Sequence, residues 1–486
     1  MSETLSSQGR ILEGPVYKEM LRFGAPLALS MGLHTTFNLV EAYIVSRLPP
    51  DVAGPALGAL GICDQISALG TIVSYGLTMA STAMIARAHG RGDLRLVRRI
   101  VWQSLLAVLA MSLVFGLASI LLAGPILSGA VGAKGDVAAL GAAYLRVSGG
   151  GAFSLFFLLQ ITGIQRALGS ARAPFALLLL SNLLSLLLSV ALVYGPGEAP
   201  PVFAWAPPLA AAVGAPRLEL TGVSWATFIA RTAALIPALI LLIYRFRVLD
   251  RRSVTGPDRR VLSDIWRIAW PSSVQLVGRI AAMLITHALV ARAFTTAADQ
   301  TATTALGIVF RLETMALFVA MGWGSAAQTF VGQNLGQNQE GRARSSGYWA
   351  TAYNAVWMLA IAALYQRAAG SLVVFFAPDP RVLAFASSYV LVVCWSYVGL
   401  GVGVVLANAI NGAGATRTTM IPDLAVVLGF QIPVCTLAVR LAGATPERLW
   451  AAVAATYVLS GVVYLLVFRL ARWTDVPVLE RELLRP

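Results

Sequence analysis

Long apolar runs, separated by short segments rich in Gly, Pro and Arg, make up most of the chain. A helix needs about 20 apolar residues to cross the hydrocarbon core of a bilayer. Breaks at the Gly, Pro and Arg clusters divide the chain into twelve predicted membrane-spanning helices. The pattern therefore predicts an all-α integral membrane protein. The approximate limits of the predicted spans are 21–48, 54–86, 97–123, 137–165, 173–195, 222–246, 262–291, 302–330, 345–369, 382–410, 418–442 and 449–470.

The segment 195–221 is the exception to this pattern. It is apolar, but its six prolines are too many for one regular helix. We interpret it as an extracytoplasmic loop that lies against the membrane.

Composition and charge agree with a membrane protein. Only 12% of the residues are charged, about half of what an ordinary soluble protein carries. With the N-terminus inside, 24 of the 36 Lys and Arg residues fall in cytoplasmic segments, as the positive-inside rule requires. We therefore expect a multi-pass protein of the cell (inner) membrane with both termini in the cytoplasm. The net charge of +14 lies in short connections without interleaved aromatic residues, which argues against a nucleic-acid partner.

Candidate catalytic and cofactor groups are few. The three cysteines lie in apolar runs, and the three histidines are not paired at ligand spacing. An integral-membrane enzyme is therefore a poor fit, and we expect no cofactor and no metal. The chain has no GxxxxGK[ST] phosphate loop, so ATP-driven transport by this chain alone is excluded. The polar N-terminal segment does not have the pattern of a cleavable signal peptide.

The two halves of the chain are related by an internal repeat. Residues 23–47 align with residues 268–292 at an offset of 245, and Gly90 aligns with Gly336 at an offset of 246. The turn ALGSAR, 167–172, aligns with GAGATR, 412–417. A near-constant offset across loops indicates a duplicated unit of six spans.

Six spans is an even number, so both repeats keep the same orientation and are parallel, as in many secondary transporters. We predict a first lobe of residues 1–244, a cytoplasmic linker of residues 245–261, and a second lobe of residues 262–486.

A polar stripe interrupts the first apolar run. Glu41 lies inside it, where a carboxylate costs roughly 2.5–3.5 kcal/mol at the bilayer centre on insertion scales. His34 lies seven residues before Glu41, and Asn38 lies between them, so the three share one helix face. The stripe indicates the lining of a cavity. The alternative is a structural role for Glu41, paired with an internal Arg or His.

Four motifs, in this order, resemble the multidrug and toxic compound extrusion (MATE) family. They are FNLVEAYIVSRL (37–48), the loop STAMIARAHGRGDLRLVRR (81–99), the loop AAQTFVGQNLGQNQEGRAR (326–344) and the turn NGAGATRTTM (411–420). The resemblance covers nearly the whole chain, and VGQNLGQ is fairly specific. It implies twelve helices in two six-helix lobes that open as a V. The implied activity is efflux of amphipathic, often cationic compounds by proton or sodium antiport.

The resemblance implies a proton-coupling role for Glu41. Glu41 falls where the proton-coupled branch of the family has an aspartate on span 1. The family's Asn and Asp of span 5 correspond here to Ser185 and Ser189, with Asn182 one turn before. Because serines cannot share a proton with Glu41, the partner set is reduced. Separately from the resemblance, six aromatic residues are candidates for the apolar lining of a cavity: Phe37, Tyr43, Tyr75, Phe153, Phe156 and Phe157.

The second lobe departs from the sodium-coupled branch. Arg279 stands where that branch has a Glu on span 7, and Leu400 where it has an Asp on span 10. Arg279 would repel a cation, so sodium coupling through that site is disfavoured.

Two further acids lie inside predicted spans and are candidates for substrate or ion contact. They are Asp64 on span 2 and Glu313 on span 8. Glu313 does not face Arg311, because residues i and i+2 lie on different sides of a helix. Arg279 or Arg231 is a possible partner for Glu313.

These observations favour a monomeric antiporter that exports amphipathic, often cationic small molecules across the lipid bilayer in exchange for protons. The alternative is a flippase for a lipid-linked glycan or polar lipid, for which Arg231, Arg279 and Arg311 would bind pyrophosphate. A further alternative is an intact fold in which transport has been lost or altered.

Overall fold

The computed structural model describes residues 9–250, 256–296, 299, 301–376, 379–440 and 445–476, and within them it contains α-helices, short 3₁₀ and π segments and no strand. The helices of the first half are α1 Val16–Ser46, α2 Pro50–Gly90, α3 Leu94–Gly124, α4 Gly135–Gly150, α5 Ala152–Ala167, α6 Arg172–Tyr194, α7 Ala206–Ala212 and α8 Glu219–Ile240. Those of the second half are α9 Arg259–Phe294, α10 Thr301–Gly336, α11 Glu340–Phe376, α12 Pro380–Val393, α13 Tyr397–Gly412, α14 Thr416–Val426, α15 Ile432–Arg440 and α16 Pro446–Leu470.

Helix covers each of the twelve predicted spans except for five turn or bend residues, and residues 441 and 442 lie outside the described residues. The five are Arg47, Leu48, Gly151, Gly195 and Phe246. Among the described residues, ten helices are long and apolar enough to cross a membrane, and the pair α4–α5, bent by 42°, makes an eleventh. Helix α1 is 31 residues long but is not among them. Its apolar run contains the polar stripe of His34, Asn38 and Glu41. The all-α membrane architecture predicted from the sequence is therefore confirmed.

The repeat is visible in the backbone of the helix ends. Gly169 and Gly414, 245 residues apart, both adopt left-handed φ angles, +83° and +78°. Beside them, the amide of Ser170 bonds to the carbonyl of Gln165, and that of Ala415 bonds to the carbonyl of Ile410. This six-to-one bond across a left-handed residue is a Schellman helix end.

A second pair of helix ends repeats the same geometry. Gly92 and Asn338, 246 residues apart, have φ angles of +79° and +56°. Glycine and asparagine tolerate this conformation better than other residues. The two loops that carry the family-like motifs are therefore built alike.

Contacts divide the chain into two compact units. Unit 1 comprises Leu33–Ser81 and Leu94–Ile265, and unit 2 comprises the described parts of Ser2–Gly32, Thr82–Asp93 and Trp266–Pro486. Helices α1 and α2 each contribute residues to both units. The division into lobes at residues 244 and 262 stays a prediction.

The proline-rich segment 195–221 contains short helical pieces. A 3₁₀ turn, Pro201–Phe203, precedes the seven-residue helix α7. Phe203 packs against Tyr43 and Tyr194 in the core of unit 1. The segment therefore adds to the core at the predicted external ends of α1 and α6.

Candidate substrate and proton site

A cavity in unit 1 is lined by three helices. Its empty space is about 310 Å³, including space open to solvent. The lining residues are His34, Phe37, Asn38 and Glu41 from α1, Ser181, Asn182, Ser185 and Leu186 from α6, and Thr227 and Arg231 from α8. On each helix these residues are adjacent or recur at intervals of three or four, which places them on one face.

Glu41 is held by two hydroxyl groups in this cavity. Ser185 Oγ donates to Glu41 Oε1 at 3.1 Å, and Thr227 Oγ1 donates to the same oxygen at 3.3 Å. The two hydroxyls are also 3.0 Å from each other. Ser185 therefore contacts Glu41, as its place on span 5 predicts, and it does so as a hydrogen-bond donor.

His34 and Asn182 form a second polar contact. His34 Nδ1 lies 3.4 Å from Asn182 Oδ1, so the ring nitrogen serves as the donor. His34 lies on the same face of α1 as Glu41, nearly two helical turns away, and Asn182 lies on the same face of α6 as Ser185, less than one turn away. Three of the predicted polar residues of α1 and two of those of α6 thus meet in one place.

Arg231 is the cation of this cavity. It interacts electrostatically with Glu41 and with His34. In the part of the chain that the structure describes, no ion pair within 4 Å joins Arg231 to Glu41. The charges of Arg231 and Glu41 offset each other across the cavity without direct contact. The groups that contact the Glu41 carboxylate are the hydroxyls of Ser185 and Thr227.

Two predicted residues are not part of the lining. Ser189 is fully buried, and its hydroxyl has no hydrogen-bond partner among the described residues. Asp64 is exposed, although it interacts electrostatically with Arg231 and Tyr144. Both positions remain predictions as functional residues.

Arg279 is neutralised by an acid in unit 2. Its Nε donates to Asp423 Oδ2 at 2.8 Å, and its Nη2 donates to Asp423 Oδ1 at 3.0 Å. Gln275 Nε2 also donates to Asp423 Oδ2, at 2.6 Å. A two-pronged Arg–carboxylate contact is the strongest form of this interaction. Arg279 is therefore bound within the helix bundle.

The prediction that Arg279 or Arg231 is the partner of Glu313 is wrong. Arg279 pairs with Asp423, and Arg231 lines the cavity of unit 1. Instead, Tyr389 and Tyr457 donate hydrogen bonds to the two carboxylate oxygens of Glu313. Tyrosines were missed because their pairing with an acid 76 or 144 residues away leaves no local pattern.

Thr227 is one of three cavity residues that sequence reasoning missed, and Ser181 and Leu186 are the others. A signal was present, because Thr227 and Arg231 are four residues apart on one face of an apolar helix. This is the same kind of polar stripe that marks α1.

Comparisons with known proteins agree with this architecture. The FAD transporter of Shewanella oneidensis is 24% identical to this chain over 428 residues, covering 88% of this chain and 89% of that protein. The multidrug resistance protein PmpM of Pseudomonas aeruginosa is 24% identical over 424 residues, covering 86% and 83%.

Solved structures share the fold. An outward-facing multidrug resistance MATE transporter of the MOP superfamily has a TM-score of 0.84 at 19% identity, over 96% of this chain and 98% of that chain. A MATE crystal structure in complex with MaL6 has a TM-score of 0.83 at 19% identity, over 95% and 97%.

The MatE family model matches residues 26–191 and 278–437. The two matched stretches lie in the two halves of the sequence repeat and together cover most of the chain. This chain therefore belongs to the MatE family, whose members are membrane transporters and not enzymes.

Proposed function

We propose that this chain is a secondary active antiporter that exports amphipathic, often cationic small molecules in exchange for protons. The observation that carries the proposal is Glu41, a carboxylate inside a cavity of the first repeat that is bound by Ser185 and Thr227. An acid within a spanning helix marks an ion or substrate pathway by default.

The geometry suits a carboxylate that changes its protonation. The two hydroxyls stabilise the carboxylate by donating to it, and each can rotate to accept a hydrogen bond from the O–H of the neutral acid. Loss of water from the cavity favours the neutral acid, because desolvation penalises charge. Opening to one side and then to the other would therefore load and release the proton.

Charge exchange links the proton to the substrate. With Glu41 ionised, its charge offsets that of Arg231 and leaves the cavity close to neutral. With Glu41 protonated, the cavity carries the positive charge of Arg231 and repels an organic cation. Protonation from the external side would thus expel a cationic substrate. Before release, Phe37 offers the substrate an apolar ring, and Asn38 and Asn182 offer it hydrogen bonds.

Two relatives support the substrate class by name. PmpM is named a multidrug resistance protein. NorM of Thermotoga maritima, 20% identical to this chain over 479 residues, is named a probable multidrug resistance protein. We extend multidrug efflux to this chain as a proposal, together with a place in the inner membrane, cytoplasmic termini and a monomeric state.

The test is uptake of a fluorescent lipophilic cation by proteoliposomes with an imposed pH gradient. We expect wild type to move the cation and Glu41→Gln to lose movement under the gradient. Glu340→Gln, an exposed acid at the start of α11, is the matched control and should transport normally. A folded Glu41→Gln protein that retains gradient-driven transport contradicts the proposal.

Arg231 favours a second candidate, a transporter of anionic amphiphiles such as lipid-linked pyrophosphates. Of the three arginines predicted to bind pyrophosphate, Arg279 is paired with Asp423 and Arg311 is exposed. Arg231 remains in the cavity. The first relative above is named a FAD transporter, and FAD also contains a pyrophosphate. If wild type moves a fluorescent pyrophosphate lipid or FAD but no organic cation, and Arg231→Gln abolishes that movement, the second candidate replaces the first.

A further inference from the structure

A second acid, partly buried in unit 2, is surrounded by tyrosines. Glu313 lies twelve residues after the start of α10 at Thr301, which is about 18 Å along the helix axis. This depth places it near the middle of the predicted span. Tyr389 on α12 donates to Glu313 Oε2, and Tyr457 on α16 donates to Glu313 Oε1.

The two phenols are fixed by the packing around them. The ring of Tyr389 packs edge-to-face on the fully buried Trp450, with centroids 4.8 Å apart. Helices α13 and α16 approach closely at Gly399, where a Cβ atom would lie 2.6 Å from the carbonyl oxygen of Tyr457. Packing therefore holds the side chains of Tyr389 and Tyr457 in place beside Glu313.

A third phenol lies beside this group and has no hydrogen-bond partner. Tyr397 is fully buried, and its hydroxyl makes no hydrogen bond with any described residue. It interacts electrostatically with Glu313 and Tyr457. A buried hydroxyl without a partner costs about 1–3 kcal/mol, and its oxygen is available to accept a hydrogen bond.

The charged and titratable neighbours of Glu313 are almost all phenols. Tyr365 of α11 donates to the backbone carbonyl of Leu312 at 3.0 Å. Cys394 interacts with Tyr397. On α9, His287 packs against Phe310, one turn before Glu313. Arg311 is exposed, and among the described residues no Lys or Arg forms an ion pair with Glu313.

We propose that Glu313, Tyr389, Tyr457 and Tyr397 form a second proton-binding site, in the repeat opposite to Glu41. A proton from the aqueous side adds to a carboxylate oxygen of Glu313. The new O–H donates to the phenol oxygen of Tyr457, and the O–H of Tyr457 turns toward the unpartnered oxygen of Tyr397. One positive charge enters, and only hydrogen bonds rearrange.

The arrangement favours a proton over a metal cation. Both phenol O–H groups point at the carboxylate, and a Na⁺ ion needs oxygen lone pairs in the same place. Na⁺ would therefore compete with two hydrogen-bond donors for the carboxylate oxygens, whereas protonation requires hydroxyl rotation alone. The proposal stands without the coupling role of Glu41, because it concerns protonation of Glu313 itself.

Infrared difference spectroscopy of the purified full-length protein tests this site. Spectra are recorded between mildly acidic and mildly alkaline buffer, for wild type, Glu313→Gln and Glu41→Gln, with Glu340→Gln as the solvated control. We expect wild type to show a protonated-carboxyl C=O band that Glu313→Gln loses and Glu41→Gln retains. If Glu313→Gln retains every carboxyl band of wild type, the proposal is wrong.

Two phenol variants keep the test decisive if Glu313→Gln does not fold. Tyr389→Phe and Tyr457→Phe each remove one hydrogen bond to the acid and should shift the frequency of the same band. Unchanged frequency in both variants overturns the proposal. A band that responds to Na⁺ at constant pH, and not to pH, also overturns it in favour of a cation site. Loss of a band in Glu313→Gln but none in Glu41→Gln supports this site while removing Glu41 from the proposed function.

Discussion

Gly90 and Gly336 occupy equivalent positions of the two repeats, and each packs against the backbone of the other's helix. A Cβ atom at Gly90 would overlap the carbonyl oxygen of Gln333, and one at Gly336 would overlap that of Arg87. Arg87 and Gln333 are also repeat partners, 246 residues apart. The predicted cytoplasmic ends of α2 and α10 are therefore in reciprocal contact within unit 2.

The first prediction concerns this contact. Gly90→Ala or Gly336→Ala should destabilise the protein by about 1–3 kcal/mol, because a backbone carbonyl cannot move aside as a flexible side chain can. Gly341→Ala on α11 is the control, since a Cβ atom there meets nothing within 4 Å. Thermal unfolding in detergent measures the difference. Equal melting temperatures for Gly90→Ala and Gly341→Ala would show that the contact is not needed.

The second prediction concerns the hydroxyls on Glu41. Ser185→Ala and Thr227→Val each remove a donor that stabilises the carboxylate over the neutral acid. Loss of about 1 kcal/mol should raise the pH of half-maximal transport by less than about one unit. The measurement is proton-driven transport across a pH series. Ser74→Ala, which loses a buried hydroxyl without a partner among the described residues, should leave the profile in place. A profile that moves to lower pH in Ser185→Ala contradicts the prediction.

The third prediction compares two buried glutamines of α5. Gln160 Nε2 donates to Ser81 Oγ at 2.8 Å and to Ser104 Oγ at 2.9 Å, whereas the amide of Gln165 has no partner among the described residues. Both side chains are fully buried. Gln160→Leu should therefore cost about 1–2 kcal/mol, because hydrogen bonds between membrane helices contribute up to that amount.

Gln165→Leu is its matched control and should be neutral or stabilising, because it removes a buried polar group that is not bonded. Melting temperatures of the two variants are compared in one detergent. A larger loss in Gln165→Leu than in Gln160→Leu would reverse the assignment.

The fourth prediction concerns the predicted linker, whose residues 251–255 lie outside the described residues. Asp258 accepts from Arg99 Nε at 2.6 Å and from the backbone amides of Arg260 and Val261. Although burial opposes the charge, these bonds hold the pKa of Asp258 below its usual value. The pair therefore adds stability above about pH 4 and loses it as the pH falls through the lowered value.

The expected effect of Asp258→Asn is small, below about 1 kcal/mol, because the Arg99 side chain is 45% exposed. Its melting temperature should lie below that of wild type at neutral pH and approach it in acid. High salt should also reduce the difference. A difference that grows on acidification would show that another group is responsible.

Local patterns were sufficient to predict the spans and the polar stripe of α1. Helical spacing places His34, Asn38 and Glu41 on one face whatever surrounds them, and all three line the cavity. The repeat was also visible, because a constant offset across loops does not depend on packing. The left-handed turns that the two halves share at Gly169 and Gly414 follow from glycine at both positions.

Pairings between distant helices could not be predicted in this way. Arg279 and Asp423 are 144 residues apart, as are Tyr457 and Glu313. Which residues meet depends on the rotation of each helix about its axis, and side-chain packing sets that rotation. An intramembrane arginine and an intramembrane acid could each be recognised as needing a partner, but the partner itself came only from the structure.

The reciprocal glycine contact has a consequence for the origin of the chain. A contact in which position i touches j while j touches i, through equivalent residues, is isologous, the kind that joins two copies of one subunit about a two-fold axis. Each six-helix repeat has at one helix end both the glycine and the backbone carbonyl that the other repeat's glycine contacts. Two separate copies of an ancestral half could therefore have dimerised through it before fusion joined them into one polypeptide.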